Sequence, residues 1–217
     1  MIKTILLISV FVVLIVGFSV YFTLMYLSRR LRKKYTQEEE KRLYQELRKV
    51  RDDIGILPFE LKDAFNSKIE DLDVEFLINT IYINDYKHNL ANSFNDNYLL
   101  AALQEKTKQA FYYQEKEFNT QKWNEIYSQN KELINFTPIS HTNQNLDCVI
   151  FHDTDLSNKE IFEAYYPLLN QNGMIIINQK YQKNNELKNL MNFLKEKEIK
   201  NQITFAKSKF LLISKTN

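Results

Sequence analysis

The side chains with the clearest potential for chemistry are His152, Asp153 and Asp155, which directly follow the apolar run of residues 146–151. A carboxylate at the end of a buried strand needs a partner or water to offset its desolvation, which favours a functional role for Asp153. An imidazole can act as a general base near neutral pH, so His152 and Asp153 are the catalytic candidates. Asp155 has two interpretations of equal weight, because it can join this site or cap the helix expected near Asn158.

Several well-known catalytic motifs are absent from the sequence: the phosphate loop G-x-x-x-x-G-K-S/T, HExxH, G-x-S-x-G and paired C-x-x-C. Their absence argues against a P-loop ATPase, a zinc protease, an α/β-hydrolase and a thiol oxidoreductase. His88 and His141 have no neighbours at ligand spacing, so no metal site is predicted. The single cysteine, Cys148, lies in an apolar run, is interpreted as a packing residue and suits a reducing compartment. The net charge of +2 gives no reason to expect a nucleic-acid partner.

Short apolar runs alternate with segments of helical periodicity from residue 80 onward. The predicted strands cover residues 80–83, 110–113, 133–136, 146–151 and 174–177, with a closing hairpin over 203–205 and 210–213. The predicted helices cover residues 95–108, 120–129, 158–169 and 186–197. This alternation predicts an α/β fold: a Rossmann-like, mostly parallel sheet covered on both faces, with a C-terminal antiparallel hairpin.

An apolar segment without charges covers residues 5–27. A helix of that length spans roughly 34 Å, which predicts one transmembrane helix. A basic cluster at residues 29–34 follows it and only Lys3 precedes it, so the C-terminal side is expected in the cytoplasm. A cleaved signal peptide is the alternative, but the run is long and the basic cluster lies on the wrong side of it. The prediction is a single-pass cell-membrane protein with a cytoplasmic C-terminal domain.

Three regions are therefore predicted along the chain. Residues 1–34 form the transmembrane anchor with its basic flank, and residues 75–217 form the α/β domain. Residues 35–74 between them are a helical stalk or a lid that folds over the sheet, and the pattern leaves both alternatives open. The narrow apolar stripe of residues 37–51 favours a stalk or a helix that faces a partner.

Two motifs in the second half resemble class I S-adenosylmethionine (SAM)-dependent methyltransferases. Residues 146–153 (LDCVIFHD) resemble the fourth strand of that family, typically FDLVFIDA, and residues 162–177 (FEAYYPLLNQNGMIII) resemble its next helix, turn and strand, typically Y…LLKPGGLIVI. The resemblance covers residues 75–215 and is good from residue 146. This part of the chain is similar to small O-methyltransferases and to membrane-anchored methyltransferases of wall-less, small-genome bacteria.

The resemblance implies SAM as cofactor and places further residues in its site. Family members carry a glycine-rich turn after the first strand, where this chain has residues 84–89 (NDYKHN) and no glycine, a degenerate form of the motif. Asn84 and Asp85 are the cofactor-binding candidates in that turn, because Asn and Asp tolerate a left-handed backbone. In the family, an acid after the second strand binds the ribose. The resemblance implies that Glu115 is the first candidate for this role, followed by Gln114 and then Glu117. Asp153 is implied to contact cofactor or substrate.

Two functions of different classes follow. The first is a membrane-anchored SAM-dependent methyltransferase at the cytoplasmic membrane face, with a lipid or a membrane protein as acceptor. The second is a catalytically inactive methyltransferase-fold scaffold, or interaction module, tethered to the membrane. The missing glycines favour the second and the acids at strand ends favour the first. A weaker third alternative is an assembly factor that acts through residues 37–51, and the sequence leaves the oligomeric state open.

Overall fold

The computed structural model describes residues 17–19, 21–27, 45–94 and 96–216. The chain divides into two compact units, residues 1–50 and 51–217. In the first unit residues 21–27 and 45–50 are helical. No helix among the described residues is long and apolar enough to cross a membrane. The predicted transmembrane helix is therefore wrong; the rest of the predicted anchor and residues 35–44 of the stalk lie outside the described residues.

The second unit is built around one seven-stranded sheet. Its strands are β1 (His88–Ser93), β2 (Ala110–Tyr113), β3 (Ile139–Ser140), β4 (Leu146–Asp153), β5 (Leu169–Asn178), β6 (Asn201–Phe205) and β7 (Lys209–Ser214). The strand order is β3-β2-β1-β4-β5-β7-β6, and β7 runs antiparallel to both of its neighbours. The predicted mostly parallel sheet with a C-terminal antiparallel hairpin is thus confirmed.

Six helices cover the two faces of this sheet. They are α1 (Phe59–Phe65), α2 (Asp71–Asn84), α3 (Tyr98–Thr107), α4 (Thr120–Gln129), α5 (Asn158–Tyr165) and α6 (Asn184–Glu196). Buried apolar residues of α1 to α4 share one core with alternate strand residues such as Ile150 and Ile176. Those of α5 and α6 share a second core with Val149 and Ile177. Successive side chains of a strand point to opposite faces, so we call these faces the first and the second.

Residues 51–84 belong to the same compact unit as the sheet. Helices α1 and α2 bury Phe65, Leu77 and Ile81 in the first core. Upstream of α1, the buried Arg51 side chain donates to both carboxylate oxygens of Glu75 on α2, at 2.7 and 3.1 Å. Helices α1 and α2 are therefore packed on the sheet, and the role of residues 35–74 as a stalk or a lid stays a prediction.

Two predicted strands are wrong. Residues 80–83 form the last turn of α2, and this helix is apolar around much of its circumference because it is buried. The first strand is instead β1, whose sequence HNLANS carries buried polar residues in the middle of the sheet. Residues 133–136 are not a strand, because Ile134 and the neighbouring Phe136 pack in a turn against the first core.

Gly173 lies inside β5, where the chain passes close to the start of β4. A Cβ atom at this position would lie 2.9 Å from the carbonyl oxygens of both Asn170 and Asp147. Only glycine fits that close approach of two backbone segments. The residue therefore fixes how β5 enters the sheet.

Candidate functional site

The parallel strands β1, β2, β4 and β5 end at one edge of the sheet, which we call the carboxyl edge. The turn after β1 closes without glycine: the Asp96 amide donates to the Ser93 carbonyl at 3.0 Å, and the Phe94 amide donates to the Asp153 carbonyl at 2.9 Å. Asp96 also accepts from the Ser67 hydroxyl (2.7 Å) and from the Tyr98 amide (3.1 Å). Polar side chains thus hold a turn that glycine shapes in many α/β proteins.

Two asparagines connect the turns after β1 and β2. Asn97 Nδ2 donates to the Asn119 carbonyl at 2.7 Å, and the Asn119 amide donates back to Asn97 Oδ1 at 3.2 Å. Between the same strands, the Gln114 amide donates to Asn92 Oδ1 at 3.0 Å. A nearly closed cleft with an accessible volume of about 10 Å³ lies here, lined by Ala91, Asn92, Ser93, Asp96, Asn97, Leu100, Tyr113, Glu117 and Phe118.

Glu117 reaches from the turn after β2 to the end of β4. Its Oε1 accepts from the Thr154 hydroxyl at 2.7 Å, while its buried Oε2 has no hydrogen-bond partner. Burial raises the pKa of Glu117, and the nearby carboxylates of Asp155 and Asp153 raise it further. Glu115, the acid preferred from the sequence, is exposed at the same edge and accepts from the Ser140 hydroxyl at 3.2 Å.

His152 and Asp153 end β4, where the ladder to β1 is irregular. Asn92 pairs with Phe151 and Ser93 with Asp153, so His152 is an extra residue on its strand; such bulges often redirect a side chain next to an active site. Asp153 is half-buried. Burial raises its pKa above the ordinary value, although the neighbouring His152 and Lys180 act in the opposite direction.

His152 is 8% exposed and lies on the first face, near Asp73 of α2 and Phe210 of β7. Neither ring nitrogen has a hydrogen-bond partner. The carboxylate within ion-pair distance of the ring is that of Asp73, whose Oδ2 lies 3.7 Å from Nε2.

Asn178 ends β5 on the same face as His152, since it pairs with the first-core residue Phe210. Its Oδ1 accepts from the Lys180 amide at 2.9 Å, and its buried Nδ2 has no partner.

The ends of β1, β2, β4 and β5 therefore share one property. Each brings buried polar atoms without a protein partner to the carboxyl edge: Asn92 Nδ2, Gln114 Oε1, Glu117 Oε2, both ring nitrogens of His152, and Asn178 Nδ2. Most buried polar groups in proteins are hydrogen-bonded. A group of such atoms at the edge where open α/β sheets bind their ligands marks this edge as the candidate site.

The structure brings together some of the predicted residues and separates others. His152, Asp153 and Glu117 share the carboxyl edge, as does the exposed Glu115. Asn84 and Asp85 end α2, before β1, and lie at the opposite edge of the sheet. The adjoining backbone amides of Lys87 and His88 donate to Asp147 at the start of β4, both at 2.9 Å. The side-chain Nδ2 of Asn84 donates to the Thr80 carbonyl of its own helix at 2.8 Å.

Sequence reasoning missed Asn92, Asn178 and Asp73. Asn178 follows the apolar run 174–177 directly, so the strand-end argument used for Asp153 also identifies it. Asn92 lies inside a strand that its polar sequence conceals, and nothing near Asp73 in the sequence signals its proximity to His152. The helix α5 is capped by Ser157 with Glu160, so the cap proposed for Asp155 belongs to Ser157.

Within the described ranges, no group of three or more His, Cys, Asp or Glu side chains is arranged to hold a metal ion. The sulfur of Cys148 is buried in the first core. The chemistry that the carboxyl edge offers is therefore that of imidazole, amide and carboxylate groups.

Solved structures of methyltransferases share this fold. An SAH-bound methyltransferase from Podospora anserina aligns over 83% of this chain and 96% of its own, with a TM-score of 0.53 and 13% identity. A methyltransferase from Geobacter sulfurreducens covers 69% of this chain and 81% of its own (TM-score 0.52, 10% identity). An O-methyltransferase from Bacillus cereus in complex with SAH covers 73% and 89% (TM-score 0.50, 11% identity). No family model and no curated protein matches the sequence.

Proposed function

We propose that this protein is a SAM-dependent methyltransferase whose cofactor and acceptor meet at the carboxyl edge of the sheet. The unpartnered buried polar atoms at four strand ends along the carboxyl edge carry the proposal. Leaving one such atom unpaired costs about 1–3 kcal/mol, so several of them along one edge are best explained by polar ligands that pair with them. The shared fold and the SAH-bound neighbours support SAM as that ligand.

The residues of the cleft suit an adenosyl group. Gln114 Oε1 and Glu117 Oε2 are free acceptors at the end of β2, and a carboxylate or amide oxygen can accept from ribose hydroxyls. Asn92 Nδ2 offers a donor beside them. The cleft has an accessible volume of only about 10 Å³, far below the roughly 300–1,000 Å³ usual for ligand sites. We therefore expect the turn after β2 to move outward when SAM binds.

The acceptor side of the site is assigned to the ends of β4 and β5. Bound SAM supplies an electrophilic methyl group. His152 can take the proton that the acceptor loses, and Asp153 and Asn178 orient the acceptor beside it, because positioning contributes a large part of catalysis. The turn after β1 is interpreted as a degenerate glycine motif, in which Asp96 and Asn97 replace glycine as the structural residues. The location and acceptor classes inferred from the sequence stay predictions.

A second function is favoured by the features that close the cleft. The Asn97–Asn119 link holds the turns after β1 and β2 together. The stacked rings of Tyr113 and Phe118, with centroids 4.0 Å apart, hold the turn after β2 against the end of its own strand. A fold that no longer opens there would act as an interaction module without binding SAM. The two functions differ in one measurable property, the affinity for SAM.

The test is calorimetric titration of SAM and SAH into the full chain. We expect micromolar binding that Glu117→Gln weakens about tenfold, the value of one hydrogen bond to a charged group. Glu115→Gln is the matched control: it removes the same charge two residues away, at an exposed carboxylate, and should leave the affinity unchanged. Absence of binding by the folded protein would refute the enzyme function and favour the interaction module.

A further inference from the structure

His152 lies beside a carboxylate that belongs to a different part of the chain. Asp73, in the first turn of α2, is fully buried. Its Oδ1 accepts from the amides of Lys207 and Ser208, at 2.9 and 2.8 Å, and its Oδ2 accepts from the Ser208 hydroxyl at 2.5 Å. These three hydrogen bonds fix the carboxylate against the turn between β6 and β7.

The fixed carboxylate keeps one acceptor position free toward His152. A carboxylate has about four lone-pair sites, of which the turn uses three. Oδ2 lies 3.7 Å from His152 Nε2, and Asp73 is the single acid within ion-pair distance of that ring among the described residues. In neutral imidazole one nitrogen carries the proton and the other accepts. The energetically favourable arrangement puts the proton on Nε2, facing the carboxylate.

We infer that Asp73 is a positioning residue that holds the His152 proton on Nε2, leaving Nδ1 as an acceptor for the hydroxyl group of the substrate. The catalytic part of this inference rests on the proposed function, whereas the position of the proton does not.

Asn178 places an unpartnered donor beside His152. The register Phe151↔Ile177 makes His152 and Asn178 neighbours on adjacent parallel strands, and both lie on the first face. The Nδ2 group of Asn178 can only donate, and it is unpartnered in a side chain that is 4% exposed. A ligand group that pairs with both residues must donate to Nδ1 and accept from Nδ2. A hydroxyl does both, whereas a carboxylate cannot donate and an ammonium cannot accept.

The position of the proton is tested by nitrogen-15 NMR of the histidine side chains in the full chain, at a pH above the titration range of imidazole. The protein has three histidines, and the His152→Gln spectrum identifies the signal of His152. We expect the Nε2–H tautomer. In Asp73→Asn, the amide oxygen can keep the two backbone hydrogen bonds while its NH2 group faces Nε2, so the tautomer should change to Nδ1–H.

Ser208→Ala is the matched control, because it removes one hydrogen bond of the same carboxylate without changing its charge. It should keep the Nε2–H tautomer. An Nδ1–H tautomer in the unmodified protein would overturn the inference even if Asp73→Asn failed to fold. An unchanged tautomer in folded Asp73→Asn, or an equal change in Ser208→Ala, would overturn it as well.

The substrate class is tested with three small probes, ethanol, acetate and ethylammonium. Ethanol should shift the Nδ1 resonance of His152, and this shift should be lost in Asn178→Leu. A shift produced by acetate or ethylammonium but not by ethanol would overturn the hydroxyl assignment. The two proposals fail separately: absence of SAM binding refutes the proposed function, while the tautomer reports on Asp73 alone.

Discussion

Replacement of Asp73 by alanine should destabilise the protein strongly. The substitution removes three hydrogen bonds to a charged acceptor, each contributing about 1.5–3 kcal/mol. All three donors lie in the turn between β6 and β7, where Lys207 is exposed, so the lower end of that range applies and the total is about 4.5 kcal/mol. For a domain of this size the melting temperature should fall by roughly 10 °C. Ser208→Ala, which removes one of the three bonds, should cost about 1.5 kcal/mol.

The stability that is lost in Asp73→Ala depends on pH, and the sign of this dependence follows from the pKa of Asp73. Burial raises the pKa of Asp73, but the neighbouring His152 and the donors of Ser208 lower it by more, so the folded value lies below the ordinary one. The stabilisation is therefore fully present above the unfolded pKa, about 3.9, and is lost as the pH falls through the folded pKa. Urea denaturation of both proteins from neutral pH downward measures this. A loss no larger than that of Ser208→Ala, or a difference that grows in acid, would refute the reasoning.

Three further substitutions test other parts of the structure. Glu117→Gln should stabilise the protein by on the order of 1 kcal/mol at neutral pH, because burial raises the pKa of this carboxyl; the unmodified protein should regain that difference as the pH falls and Glu117 protonates, and a lower melting temperature of the variant at neutral pH would contradict this. Arg51→Ala should cost about 3–5 kcal/mol in urea denaturation, because it leaves Glu75 without its bidentate partner; a cost below about 1 kcal/mol, the level of a surface pair, would show the network to be unimportant. Gly173→Ala should cost about 1–3 kcal/mol, since its Cβ would meet two carbonyl oxygens, and an unchanged melting temperature would argue against the close approach.

The C-terminal half of the fold was predictable from the sequence because its strands are continuous apolar runs. Strands β4 and β5 are buried on both faces, which is what such runs indicate. The first strand was not predictable, since Asn89 and Asn92 lower its apparent strand propensity although both are buried. The apolar end of α2 at residues 80–83 has the composition of a strand, and periodicity cannot separate the two in a short buried segment.

The candidate site was predictable where it depends on strand ends alone. The rule that ligands bind beyond the carboxyl ends of strands places His152 and Asp153 at the edge once β4 is known. When residues 80–83 are taken as the first strand, the same rule wrongly places Asn84 and Asp85 at this edge. Contacts between distant segments, such as Asp73 with His152 or Glu117 with Thr154, depend on packing that no local pattern encodes.

The reciprocal hydrogen bonds between Asn97 and Asn119 affect the ligand concentration that is needed to fill the site. A ligand that needs the two turns apart can occupy only those molecules in which the link is broken. Its apparent dissociation constant is the intrinsic constant divided by the fraction of such molecules. Every 1.4 kcal/mol stored in the closed link thus raises the half-saturating concentration about tenfold. One side-chain amide, paired with the backbone of a neighbouring turn, would in this way set the ligand concentration at which the site begins to fill.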